Sequence, residues 1–193
     1  MNKEEFYALK SRYEVLGQKL IDLSNVSQIH QTAFNHSSVK KVIGKKVRRI
    51  DEFAFEESEI IEFIGSSLEA IHYSAFEGCV NLNKIDLSNV NIIGKYAFCK
   101  CSNLTDITFK NNVTILNYAF RETGLKSIKL DTNYIHSNVF YNCVNLEKVD
   151  INCKEVNEYA FAYCNIKELY INEEAICYDY SFEGNLEMKF IKK

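Results

Sequence analysis

Seven cysteines and four histidines are the side chains of this sequence best equipped for chemistry. The cysteines are Cys79, Cys99, Cys101, Cys143, Cys153, Cys164 and Cys177, and the histidines are His30, His36, His72 and His136. Thiols and imidazoles together bind zinc, and a thiol beside an imidazole is a nucleophile. The spacing supports neither use. Cys99-Lys100-Cys101 is not a zinc spacing, no histidine lies near it in sequence, and the histidines read as scattered among the phases of an internal repeat. Seven thiols cannot all pair within one chain. Cys79, Cys101, Cys143 and Cys164 each follow a phenylalanine by three residues, and Ser37 and Ser58 hold that slot elsewhere. A slot for small residues is a packing position, where a free thiol acts as a small hydrophobe. The thiols are therefore expected to be free and structural. With no Gly-rich phosphate loop, no HExxH and no Ser nucleophile elbow, the expectation is a non-enzymatic protein that needs no metal or cofactor.

Charge offers a second kind of chemistry. Lys40, Lys41, Lys45, Lys46, Arg48 and Arg49 crowd ten residues, and Asp51, Glu52, Glu56, Glu57, Glu59, Glu62 and Glu69 follow directly. A basic cluster attracts nucleic acid or an acidic protein. A net charge of −3 and the adjoining acids disfavour nucleic acid. Two other readings stay open: a solvated edge whose charges pair between neighbouring turns of the chain, and a docking patch for an acidic protein.

These residues are positioned by a repeat. Phe34, Phe55, Phe76, Phe98, Phe120, Phe140, Phe161 and Phe182 recur in steps of 20 to 22 residues. Five residues before each stands an apolar residue, from Ile29 and Ile50 to Val156 and Cys177, and immediately before it a small one such as Ala75. About six after it comes an aliphatic such as Leu82, then an alternating pair such as Ile85 and Leu87. Period-two alternation of β-branched residues is a strand signal. The Ala-Phe piece reads as a short turn of helix or 3₁₀-helix, too short to hold without packing. A unit of this length cannot bury its own apolar positions. It must stack on copies of itself, as a solenoid.

The pattern I-x-x-x-A-F-x-x-C-x-x-L-x-x-I-x-L resembles the BspA-like leucine-rich repeat. Residues 92–109, IIGKYAFCKCSNLTDITF, show it nearly complete, including Gly94. The resemblance covers about nine-tenths of the chain and has one departure. The family usually carries Pro after the strand, whereas this chain has no Pro at all and places Asn and Ser there. It implies a leucine-rich-repeat β-solenoid of eight coils, each with a short parallel strand and a short helical turn. It also implies a binding surface formed by the outward residues of the strands.

The middle outward column is expected to read Asp22, Ile43, Ile64, Asp86, Thr108, Lys129, Asp150, Tyr170 and Lys189. Ile43 and Ile64 are either exposed apolar neighbours, as at an interface, or buried by a one-residue slip of register. A further column two residues before the phenylalanines holds Phe53, Tyr96, Tyr118, Tyr159 and Tyr180, readable as a packing ladder or as interface tyrosines. The expected partner-binding residues are Lys45, Lys46, Arg48, Arg49, Ile43, Ile64, Asp86, Thr108, Lys129, Asp150 and Tyr170.

Residues 1–19 are expected to form an amphipathic helix that caps the first coil, with Phe6, Leu9, Tyr13 and Leu16 on one face. Residues 20–193 are expected to be the solenoid, ending in a final strand within LEMKFIKK. No apolar run approaches a membrane span, and the polar N-terminus lacks a signal sequence. The expected setting is the cytoplasm, with the cell surface as the alternative if a leader has been removed. The expected function is protein recognition, as an inhibitor or adaptor. A surface adhesion protein and a self-associating repeat are the competing readings, and the protein is expected to be a monomer or homodimer.

Overall fold

The computed structural model describes residues 4, 7, 8, 10, 11, 19–110 and 112–192, with only the backbone of Lys192. Each coil contributes up to two strand pieces. The first half holds β1 (Leu20–Asp22), β2 (Gln28–Ile29), β3 (Lys41–Ile43), β4 (Arg49–Ile50), β5 (Glu62–Ile64), β6 (Ala70–Ile71), β7 (Lys84–Ile85) and β8 (Ile92–Ile93). The second holds β9 (Thr114–Ile115), β10 (Ser127–Asp131), β11 (Tyr134–Ile135), β12 (Lys148–Asn152), β13 (Glu155–Val156), β14 (Glu168–Ile171), β15 (Ile176–Cys177) and β16 (Lys189–Lys192). All pairing is parallel between successive coils. The result is a parallel β-solenoid of about eight turns.

The front ladder runs β1-β3-β5-β7 and resumes as β10-β12-β14-β16. A back ladder of two-residue strands runs β2-β4-β6-β8-β9 and continues as β11-β13-β15. The single strand expected per coil is thus corrected to two. The apolar residue five before each Phe, such as Ile50 or Ile71, is the inward residue of the second strand.

The Phe segment is a turn, not a helix. Backbone φ is positive two residues before each Phe and again two residues after it, as at Tyr96 and Lys100 around Phe98. Left-handed residues at both flanks stop helical propagation. Hydrogen bonding alternates accordingly. In the second coil, Ala54, Glu56 and Ser58 donate N–H bonds back to Asp51, Phe53 and Phe55 of their own turn. Phe53, Phe55 and Glu57 donate instead to Tyr73, Ala75 and Glu77 of the next coil. The column of turns is therefore polar, with its inter-coil carbonyls facing the N-terminal end and its N–H groups the C-terminal end, whereas strand-flanking residues such as Lys41 and His72 donate to the preceding coil.

The eight Phe rings form one continuous stack, with centroids 5.0 to 5.6 Å apart and planes within 14° of parallel. Seven are fully buried and Phe182, in the last coil, is partly buried. Stacked pairs add about 1 kcal/mol each beyond burial, so the spine contributes substantially to cohesion between coils. An Ala column beside it, from Ala33 to Ala160, is fully buried as well. Its small side chains let the turns approach closely.

The capping helix expected over residues 1–19 falls mostly outside the described residues. Glu4, Tyr7, Ala8, Lys10 and Ser11 have helical backbone, but no continuous helix is delineated, so the cap is not supported as an element. Tyr7 does donate its hydroxyl to the Gln31 carbonyl at 2.9 Å, one of the acceptors that the turn column faces toward its first end. The final strand is present as β16. The last coil leaves Ile176, Tyr180, Leu186 and Phe190 more than half exposed.

Candidate functional site

Register decides which strand residues face outward. Asp22, Ile43 and Ile64 are aligned across β1, β3 and β5, with Val42 and Phe63 buried on the other face. Ile43 and Ile64 thus keep the common register; Ile64 is exposed and Ile43 half-buried. Lys129, Asp150 and Tyr170 are aligned across β10, β12 and β14. One member of the expected column is misplaced. Lys189 pairs with Glu168, one column earlier, and Ile191 stands opposite Tyr170. Ile191 follows Phe182 by nine residues, as Tyr170 follows Phe161 and Lys129 follows Phe120, so the common spacing already pointed to Ile191 rather than Lys189.

Between the two halves the front ladder is broken. Thr105–Phe109 forms no strand with either β7 or β10. Phe109 stands where the flanking coils carry the smaller Leu87 and Leu130; it is only partly buried and meets Phe120 edge-on at 5.5 Å. Three clefts follow one another along this face. The first, of about 630 Å³, is bordered by Lys45, Ile64 and Asp86. The second, of about 310 Å³, lies between Asp86 and Thr108, across the break. The third, of about 540 Å³, is bordered by Thr108, Lys129 and Asp150. Six of the eleven expected partner-binding residues therefore line a connected run of depressions.

Ion pairs organise the flanks of this face. Glu62 is held between Lys84 at 2.7 Å and Lys41 at 3.1 Å, one coil above and one below. The hydrogen bond from Lys84, seconded by Lys41, lowers the Glu62 pKa. Farther along, Tyr170 donates its hydroxyl to Glu168 at 3.1 Å, Lys148 approaches the same oxygen at 3.3 Å, and the Lys148 ammonium sits 5.0 Å above the Tyr170 ring. The Tyr170 and Lys148 bonds lower the Glu168 pKa. Sequence reasoning placed Lys41 and Glu62 in separate charge clusters and did not see that Lys84 joins them. The available signal was the alternation of sign at one phase over three successive coils.

The basic cluster is divided. Lys40 pairs with Glu59 at 2.6 Å, Arg48 with Glu69 at 3.2 Å and Arg49 with Asp51 at 2.8 Å. Lys45 faces the front clefts, whereas Arg48 and Arg49 lie at the back ladder, where Arg49 borders a separate cleft with Asp51 and His72. Lys46 is exposed and borders none of the three front clefts. The histidine reading also needs correction. His30, His72 and His136 share one phase, four residues before the Phe. The coils between them place Asp51 next to His30, at 3.9 Å, rather than a second imidazole. Among the described residues no group of three or more His, Cys, Asp or Glu is placed to hold a metal ion.

A family model for the BspA type leucine-rich repeat region matches residues 27–134 and 69–189, with six copies. The chain belongs to the BspA-type leucine-rich repeat family. Among solved structures, this leucine-rich repeat protein is similar to one from Bacteroides ovatus ATCC 8483, at 20% identity and a TM-score of 0.61. The match covers 90% of this chain and 45% of the other, so the chain spans less than half the length of that relative. No curated protein matches the sequence. Family membership suits a repeat protein to protein interaction or adhesion. Among the described residues, no helix is long and apolar enough to cross a membrane.

Proposed function

We propose that this leucine-rich repeat protein binds a partner protein on the front ladder, through the clefts between Lys45 and Asp150. The observation that carries this reading is the run of three depressions across a broken strand ladder, floored by the exposed Ile64 and edged by Asp86, Lys129 and Asp150. Strands fixed by a stacked core lose little freedom on binding, so contact energy is not consumed in ordering them. Mixed charge around an apolar centre is the usual anatomy of a protein interface. The partner complements acids and lysines in alternation, which suits an inhibitor, an adaptor or an adhesin equally.

The test is affinity capture of partners from the source cell, comparing wild type with Ile64→Asp and Lys129→Glu. Both residues are exposed, so the variants keep the fold. Partners lost from both variants, but retained by a back-ladder control such as Thr114→Glu, support the reading; retention by both defeats it. Labelling of surface proteins on intact cells separates an adhesin from an intracellular adaptor.

A second reading rests on the last coil. Ile176, Tyr180, Leu186 and Phe190 expose an apolar end larger than single scattered residues produce. Self-association through that end predicts a concentration-dependent mass in sedimentation, abolished by Phe190→Glu.

A further inference from the structure

The aromatic column beside the Phe spine is interrupted twice, and the two interruptions are resolved differently. Rings stand at Phe53, Tyr96, Tyr118, Tyr159 and Tyr180, but Ser74 and Asn138 carry none. At Ser74 the vacant rung is filled from the preceding position. The Tyr73 ring lies 5.2 Å from Phe53 and 5.9 Å from Tyr96, edge-on to both. At Asn138 the preceding residue is Ser137, which has no ring to offer.

Two flat stacks end at this second vacancy. Tyr96 and Tyr118 are 4.8 Å apart and 2° from parallel, and Tyr159 and Tyr180 are 5.2 Å apart and 8° from parallel. The three coils concerned also carry Phe120, Phe140 and Phe161, whose rings are separated by 5.6 and 5.1 Å. Each coil step is thus one aromatic layer, and the missing rung is one ring thick. A cleft of about 320 Å³ occupies the place, bordered by Tyr118, Arg121, Asn138, Tyr141 and Tyr159. That volume is at the lower end of small-molecule sites. Among the described residues the Asn138 carboxamide has no hydrogen-bond partner.

The charge at the wall narrows the class of ligand. Arg121 is bound to Glu122 at 2.8 Å and lies 5.4 Å from the centre of the Tyr141 ring. A cation already faces one of the three tyrosines, so the slot does not suit an ammonium ligand. A neutral ring gains two stacking faces and a hydrogen-bonding amide at its edge.

We propose that the slot between Tyr118 and Tyr159 binds one aromatic side chain presented by a polypeptide partner, which takes the missing rung. The molecule contains the precedent, since a protein tyrosine fills the equivalent gap at Ser74. The site belongs to the turn column, so it stands independently of the clefts on the front ladder.

The chain has no tryptophan, so a tryptophan probe is excited selectively. The experiment titrates the acetylated, amidated peptide Gly-Trp-Gly with the protein and follows indole emission, with free indole as a parallel probe. Saturable binding of the peptide is expected, weakened on the order of tenfold or more by Asn138→Tyr and by Tyr118→Ala. Asn138 has a φ of 61°, beside 62° at Tyr118 and 57° at Tyr159, so a tyrosine fits that backbone. The variant is expected to keep the thermal midpoint of wild type or raise it, which separates blocking from unfolding. Absence of saturable binding, or unchanged binding by Asn138→Tyr, overturns the proposal. Binding of indole without binding of the peptide overturns the polypeptide assignment.

Discussion

The Cys101 thiol donates a hydrogen bond across the coil boundary to the Phe76 carbonyl oxygen, 3.1 Å away. The same oxygen accepts the Cys79 backbone N–H at 3.1 Å, so both its lone pairs are used. Cys79 serves Phe55 at 2.8 Å, Cys143 serves Phe120 at 3.0 Å and Cys164 serves Phe140 at 3.1 Å. In the last coil the Asn185 amide reaches Phe161 at 2.8 Å. The slot three residues after each Phe therefore selects a hydrogen-bond donor as well as a small volume.

That relationship sets an order of stability. Cys101→Ala leaves half of a buried carbonyl unsatisfied and opens a small void, at a cost of about 1–3 kcal/mol. Cys101→Ser places a hydroxyl in a slot where Ser37 and Thr123 donate to the Phe carbonyl of their own coil, and is expected to fall between wild type and the alanine variant. Urea denaturation measures all three. An alanine variant as stable as the serine variant would show that volume alone matters.

Burial also silences the thiols. It pushes Cys79, Cys99 and Cys153 up to about 12 and Cys101 and Cys164 well above their ordinary range. At Cys143 burial is outweighed by the hydrogen bonds of Cys164 and Thr123, which lower the pKa, so this thiol is kept from reagents by its enclosure alone. Only Cys177 is exposed among the seven. Because the thiolate is the reactive form, a thiol reagent at pH 8 is expected to modify one cysteine in the native protein and seven after denaturation. Peptide mapping should place the native adduct on Cys177, and Cys177→Ser should abolish it.

The sequence made the spine legible because a solenoid repeats its burial pattern at every turn, and eight registered phenylalanines leave one solution. The second strand was not legible. Two-residue strands such as Thr114–Ile115 have no room for alternation, and their inward residue appeared only as the isolated apolar position before each Phe. The donor role of Cys79 and its equivalents lay behind a correct assignment of small size. Of the candidate surface, the aligned middle column was readable as far as Tyr170. The break at Thr105–Phe109 was not, since Ile107 and Phe109 alternate like any other strand pair.

The Glu62 clamp gives a pH signature. Its folded pKa lies below the ordinary value of 4.5 because Lys84 and Lys41 favour the carboxylate. The stabilisation is therefore complete above that value and is lost as pH falls through the lower folded value. Glu62→Gln is expected to lower the urea midpoint at pH 7, with the difference from wild type shrinking below pH 4.5. A difference independent of pH would assign the loss to packing of the Glu62 stem rather than its charge.

Gly78 tests how much the left-handed turns cost. Its φ is +71°, and a Cβ there would lie 2.9 Å from Cγ of Glu57 in the preceding coil. Gly78→Ala is expected to destabilise by about 1–2 kcal/mol, combining left-handed strain with that contact. The two parts are separable, because Glu57 occupies the same phase one coil earlier at a φ of 50°. Glu57→Gly relieves its own backbone strain and removes the obstructing Cγ. In that background Gly78→Ala should retain only the strain component, so its cost should fall. A double-mutant cycle by urea denaturation reads the coupling directly. Strict additivity would show that Glu57 swings aside freely and that backbone conformation alone selects glycine at this turn.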